Sequence, residues 1–278
     1  SNSLHNWSNL NNLSLNQATS ELNKIDERFQ NLKNIQNVFL NCFFNSPNTE
    51  NLFIKLTSDE KIDFSRYKYF FASYVANYKK IGEAKKIVKS AIQLYPRNLL
   101  LNQYKLDLDK NKNISVFDCK KEAHVTAEIL YIAANALSSQ SIYALSNFYL
   151  NLAKFLNDDF HSYDTLLAEN FYKIDNYTKA KKVYNNLSKQ GKAFTWYSSK
   201  QLAKIFLKEK KRDKALKLVT DAYNSLAVKD IYETFDYAEI LKNNEEFKDS
   251  IIFYSKIIEE VEKDHPLYAE ATDGRGIA

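Results

Sequence analysis

Methionine is absent from the 278 residues, and proline (3), glycine (4) and cysteine (2) are scarce. So little Gly and Pro excludes a collagenous chain and argues against a turn-dense all-β sandwich. Two cysteines, Cys42 and Cys119, are too few and too far apart in sequence to frame a disulfide scaffold or a metal knot, and they leave both redox compartments open. Arginine is limited to Arg28, Arg66, Arg97, Arg212 and Arg275, which counts against a dedicated nucleic-acid site built on bidentate phosphate and base contacts. No run approaches the roughly 18 apolar residues of a membrane span. The start, Ser1-Asn2-Ser3, lacks an initiator Met and a signal-peptide core, so the native N-terminus is expected to be missing. The compartment, cytoplasmic or periplasmic, stays unassigned.

What is present is a globular balance, 45% hydrophobic and 26% charged, at a length suited to one or two domains. The net charge of +5 arises from 39 basic and 34 acidic groups and says little about partners. The excess of Lys, Asn, Ile and Tyr reads as coding composition. With so few helix breakers, the chain is expected to be mostly helical.

A test for self-similarity succeeds. Short polar turns at Asn77 to Ala84, Ile174 to Ala180, Lys210 to Ala215 and Asn244 to Ser250 each precede a small residue. With Ser146, the small residues at this position are Ala84, Ser146, Ala180, Ala215 and Ser250, and the last three intervals are 34, 35 and 35. Twelve positions earlier stands a second small residue, Ala72, Ala134, Ala168, Ala203 or Ala238. Four positions later come Val88, Leu150, Tyr184, Val219 and Tyr254, and seven later Ala91, Ala153, Leu187, Ala222 and Ile257, the i, i+4, i+7 face of a second helix. Small side chains recur where two helices cross closely. The period is one helical hairpin.

This frame resembles the tetratricopeptide repeat, a 34-residue unit with small residues at its eighth, twentieth and twenty-seventh positions and often Pro at the thirty-second. Ser65 to Asn98 matches best, with Ala72, Ala84, Ala91 and Pro96 in register; further units run Ala127 to Phe160, His161 to Phe194, Trp196 to about Asp230 and Ile231 to about His265. Ser146 and Ser250 replace the twentieth-position Ala, Leu187 and Ile257 replace the twenty-seventh, and the fourth-position Trp is missing throughout. Divergent hairpins are expected over residues 1–64, anchored near positions 18 and 51, and an atypical hairpin over 99–126, with its turn near Asn111 to Asn113 and an anchor near 117. Residues 127–265 hold four units. Residues 266–278 read as the start of a further, truncated one with Gly276 at the eighth position, so the chain is expected to be a fragment of a longer protein. The implied fold is all-α, a right-handed α-solenoid of about seven to eight degenerate, bacterial-type hairpins.

Catalysis finds little support. The His residues are scattered, with His5, His161 and His265 at helix starts or inter-repeat turns and His124 five residues after Cys119. Gly274-Arg275-Gly276 lies inside an expected helix and is no phosphate loop. No cofactor or metal is implied. The basic stretch Lys208 to Lys217 reads as a solvated turn.

The resemblance implies a groove lined by one face of successive first helices. Carried over by position, it consists of Arg66, Tyr69, Ser73 and Asn77; Glu128, Tyr131, Asn135 and Ser139; Ser162, Thr165, Glu169 and Lys173; Tyr197, Lys200, Lys204 and Lys208; and Tyr232, Phe235, Glu239 and Asn243. Such a polar and aromatic stripe suits an extended peptide, and it equally suits a plain solvent-facing surface. The carboxylate clamp of the chaperone-tail-binding members is absent, because Lys200 is followed by Lys204 rather than Asn and Asp236 stands at the next unit's sixth position. The expected function is a non-catalytic scaffold that binds a peptide or helix of another protein. Self-association through terminal hairpins or grooves is the alternative, and an RNA-reading helical repeat is a weaker one.

Overall fold

The computed structural model describes residues 7, 10–59, 62–77, 80–112 and 116–278; His5, Asn113 and most of the first nine residues of the expected N-terminal hairpins lie outside them. Among the described residues there are fifteen α-helices and no strand. None is long and apolar enough to cross a membrane. The chain divides into two compact units, residues 1–170 and 171–278.

The first unit contains α1 (Leu15–Asn23), α2 (Gln30–Phe43), α3 (Thr49–Thr57), α4 (Ser65–Asn77), α5 (Ile81–Leu94), α6 (Leu99–Asp109), α7 (Glu122–Ser139) and α8 (Tyr143–Leu156), with most of α9 (Ser162–Lys173). The second contains α10 (Tyr177–Leu187), α11 (Lys192–Lys208), α12 (Arg212–Asn224), α13 (Ile231–Asn243), α14 (Phe247–Glu260) and α15 (Pro266–Ile277). Consecutive helices pack as hairpins, α4 on α5, α7 on α8, α11 on α12 and α13 on α14.

Six of the described helix ends share one device. Asn45, Asn111, Ser141, Asp175, Lys210 and Glu245 all adopt positive φ, between 54° and 66°. The amide of each following residue bonds back five positions, as in Ile142 N to Leu137 O and Lys211 N to Phe206 O, both 2.9 Å or less. These are Schellman ends, which satisfy carbonyls that a helix terminus leaves unpaired. A chain so poor in Gly makes them with Asn, Asp, Ser, Lys and Glu instead. Helix starts are capped where the sequence provides for it: Ser14 with Gln17, and Asp230 with Glu233, form capping boxes.

The crossings expected from the period are dry. Ala72, Ala84, Ala134, Ser146, Ala168, Ala180, Ala203, Ala215, Ala238 and Ser250 are all 0% exposed. Ser146 is tolerated among these alanines because its hydroxyl donates to Ala134 O at 2.7 Å and accepts from Asn170 Nδ2 at 2.8 Å. The Ser250 hydroxyl, equally buried, has no hydrogen-bond partner.

Three stretches depart from expectation. The buried residue opening α3 is Thr49, whereas Asn51, near the expected anchor, is exposed. Beyond Asn111 no second helix forms over residues 116–121. Phe117 plugs the core there, 4.3 Å from Phe70 and 5.2 Å from Phe39 by ring centroids. An aromatic at the anchor position fills a space that a second helix would need. Cys119 then bonds to Cys42 at the end of α2, with 6.0 Å between their Cα atoms. Distance in sequence therefore did not keep the two cysteines apart. Closing a span of 77 residues removes unfolded-chain entropy worth about 4.5 kcal/mol in the chain-entropy model. Finally, the residue of α15 that packs closely is Gly274, not Gly276. A Cβ at Gly274 would lie 2.6 Å from the Tyr254 ring, whereas one at Gly276 would meet nothing within 4 Å.

Candidate functional site

The first unit holds a cavity of about 370 Å³ bounded by α2, α4, α6, α7 and the start of α9. Ile35, Leu99, Leu100 and Ile132 give it apolar walls, Tyr67 and Tyr131 add rings, and Asp63, Asn98 and Asn135 supply polar groups.

Its floor is an ion pair. Arg66 on α4 meets Glu128 on α7 in a two-pronged contact, Nε to Oε1 at 2.7 Å and Nη2 to Oε2 at 2.6 Å. The third arm, Nη1, donates to the Ser162 hydroxyl, and Tyr67 donates to Glu128 Oε1 at 3.3 Å. The guanidinium lies 3.8 Å from the centroid of Tyr131 and 4.8 Å from that of Phe160, so its faces are covered by aromatic rings. Glu128 is 0% exposed. Burial pushes its carboxyl above the usual carboxylate range, and Arg66 opposes that shift. Burial is the largest single influence on Arg66 and penalises its charge, but Glu128 together with the Tyr131 and Tyr163 hydroxyls outweighs it and holds the guanidinium charged. A charge so fully paired neutralises the floor, and it leaves binding to the walls and rim.

At the rim, Asn98 is committed to structure. Its Oδ1 accepts from Leu101 N at 3.0 Å to cap α6, and its Nδ2 donates to Ser65 Oγ at 2.8 Å. Asp63 accepts from Ser65 N at 2.9 Å and remains exposed, as does Asn135 on the opposite side. The cavity thus pairs apolar walls with one carboxylate and one amide at its mouth.

The expected groove residues separate into groups. Arg66, Tyr131, Asn135 and Ser162 line this one cavity. Tyr69 and Ser73 do not face solvent, at 3% and 2% exposure. Tyr69 stacks on Phe160 at 5.9 Å and abuts Tyr104 at 5.1 Å. Burial pushes the Tyr104 hydroxyl up to about 12, with Ser73 opposing as a hydrogen-bond partner. Asn77, Glu169 and Lys173 are exposed.

No protein-family model and no curated protein matches the sequence. Among solved structures, the chain is similar to a tetratricopeptide repeat protein from Parabacteroides merdae ATCC 43184, at 10% identity and a TM-score of 0.41, over 89% of this chain and 98% of that one. It is also similar to yeast Tom70, at 17% identity and 0.41, over 91% of this chain but 56% of that one, so it spans little more than half of Tom70. The tetratricopeptide domain of P58(IPK) matches at 12% identity and 0.28, over 99% and 97% of the two chains. The hairpins are tetratricopeptide-like. Their own register, with small buried residues at each crossing, carries that description.

In the second unit, Lys200 is ion-paired with Asp236 and lies 5.4 Å from the Trp196 centroid, which occupies the cation that the stripe offers there. Glu239 accepts from Lys242 at 2.6 Å and from the Tyr254 hydroxyl. Lys204 and Lys208 are exposed. The basic turn is compensated in part, with Glu209 taking Lys211 as well as Lys181, and Arg212 taking Glu245. His265 caps α15, accepting from Leu267 N at 3.1 Å, and His124 Nδ1 accepts from Asp118 N at 3.0 Å. Among the described residues no three His, Cys, Asp or Glu side chains are placed to hold a metal ion.

Sequence reasoning missed Ile35, Asp63, Asn98 and Leu100, which come from α2, from the segment before α4 and from α6, outside the groove positions. It had a signal for the floor. Arg66 and Glu128 both stand at the second position of a unit, and opposite charges at one repeat position can pair when their helices are neighbours.

Proposed function

We propose that this chain is a non-catalytic protein-interaction scaffold, and that its first unit takes an extended peptide of a partner protein at the cavity between α4 and α7. The observation that carries this reading is the cavity itself, about 370 Å³ and lined by four residues of the stripe together with apolar walls. Because the Arg66 charge is spent on Glu128, the anchor that fits is an apolar side chain rather than a carboxylate. The Asp63 carboxylate and the Asn135 amide at the rim suit a peptide N–H or a flanking basic residue. Peptides selected from a random library on the immobilised chain test the reading. The expected winners carry an apolar residue beside Lys or Arg, and lose binding when Asn135→Trp fills the mouth while the helical signal is kept. Selected peptides that bind Asn135→Trp as well as the unaltered chain would contradict it.

A further inference from the structure

The outer face of α8 is unlike its counterparts. Leu145, Phe148, Leu152 and Phe155 recur at a 3-4-3 spacing along it, and Phe148 and Phe155 are 57% and 85% exposed. At the same four offsets from each anchor, one before and three after, the other four hairpins carry Lys, Asn, Asp, Glu, Ser or Gln, with Ile252 as the sole apolar residue. This is the spacing of a coiled-coil seam. The stripe has no charge along it: the only ionic residue of α8, Lys154, is paired with Asp164. Four large apolar side chains in a row on a surface helix form a patch of the kind that marks an interaction site.

We infer that this face binds a second copy of the chain, α8 against α8, antiparallel about a two-fold axis. Three observations favour that occupant. A two-fold contact joins identical patches, so an ionic stripe would meet its own charges, and this one has none to meet. The order Leu, Phe, Leu, Phe is complementary to itself when reversed. Leu145 then faces the partner's Phe155 and Phe148 faces the partner's Leu152, a large ring against a smaller side chain at every layer, whereas a parallel pair would set ring on ring. The area suits a weak, reversible contact. Phe148 and Phe155 expose 57% and 85% and Leu145 and Leu152 43% and 38%, which at roughly 150–250 Å² for a full large side chain amounts to about 400 Å² per copy and about 800 Å² over both, the range of transient interfaces. The contact runs along a helix of 14 residues, about 21 Å. A dimer that forms and dissociates with concentration is the result.

Light scattering or sedimentation across a concentration series tests this. The unaltered chain should pass from monomer to dimer mass as it is concentrated. Phe148→Glu with Phe155→Glu, both at exposed positions and thus without effect on the helical signal, should weaken the dimer by roughly 30-fold or more, as for loss of a hot-spot side chain. Phe148→Glu with Leu152→Lys should restore it at low salt, because only an antiparallel pair sets Glu against Lys. A mass that stays monomeric throughout, or a dimer indifferent to Phe148→Glu with Phe155→Glu, overturns the inference. So does a monomer that floats with neutral phosphatidylcholine vesicles through Phe148 and Phe155, since that would give the face to lipid.

Discussion

Arg66 and Glu128, 62 residues apart in sequence, face each other across α4 and α7 with both guanidinium-to-carboxylate contacts at 2.7 Å or less. The pair joins an early hairpin to a later one and forms the floor of the cavity. Removing one partner leaves a buried charge without compensation. Glu128→Gln or Arg66→Met should each cost about 3–5 kcal/mol in urea unfolding. Arg66→Met combined with Glu128→Leu should recover most of that loss, because neither charge then remains buried. Single variants as stable as the parent would show that the pair is not desolvated.

The two buried serines make opposite predictions. Ser146 donates to Ala134 O, whereas Ser250 bonds to nothing. Ser146→Ala should destabilise by about 1 kcal/mol, and Ser250→Ala should stabilise by a similar amount by removing an unsatisfied hydroxyl. Denaturation midpoints of the two variants, compared with the parent, read the sign directly.

Gly274 and Gly276 separate packing from propensity. Gly274→Ala forces the Tyr254 ring to move and should lower stability by about 1–3 kcal/mol. Gly276→Ala enters open space within α15 and should gain up to about 1 kcal/mol from helix propensity alone. Equal effects would mean that Gly274 does not pack on Tyr254.

Stability should fall as acid titrates His124. Burial holds this imidazole below its ordinary value of 6.5, with Lys121 adding to the shift. Nδ1 also accepts the Asp118 amide, a bond that a proton on that nitrogen would break. The unfolded chain therefore binds the proton more readily than the folded one. The contribution is complete above pH 6.5 and is lost as pH falls through the lower folded value. Urea midpoints measured from pH 7.5 downwards should decline, and His124→Gln should flatten the decline across that window. An unchanged slope in the variant would assign the decline to other groups.

The period was the legible part of this sequence. Small residues at Ala84, Ala180 and Ala215, with their partners twelve positions earlier, read directly as hairpin crossings, because the helix repeat fixes which side chains meet. What the period could not reveal was contact between hairpins. Tyr69 stands at a groove position yet is buried by Phe160 and Tyr104, which come from other elements. Cys42 and Cys119 carry no spacing that announces a bond; the fold brings them together once Phe117 replaces a second helix. Asp63 and Asn98 reach the cavity from outside the groove positions of the repeat.

Amide hydrogen exchange of the chain with and without a selected peptide tests the central claim most directly. The account predicts added protection within residues 63–66, 98–101 and 131–135, which surround the cavity, and none along the outer face of α8. Protection confined to α8 or to the second unit, or no change on peptide addition, would contradict a binding site between α4 and α7.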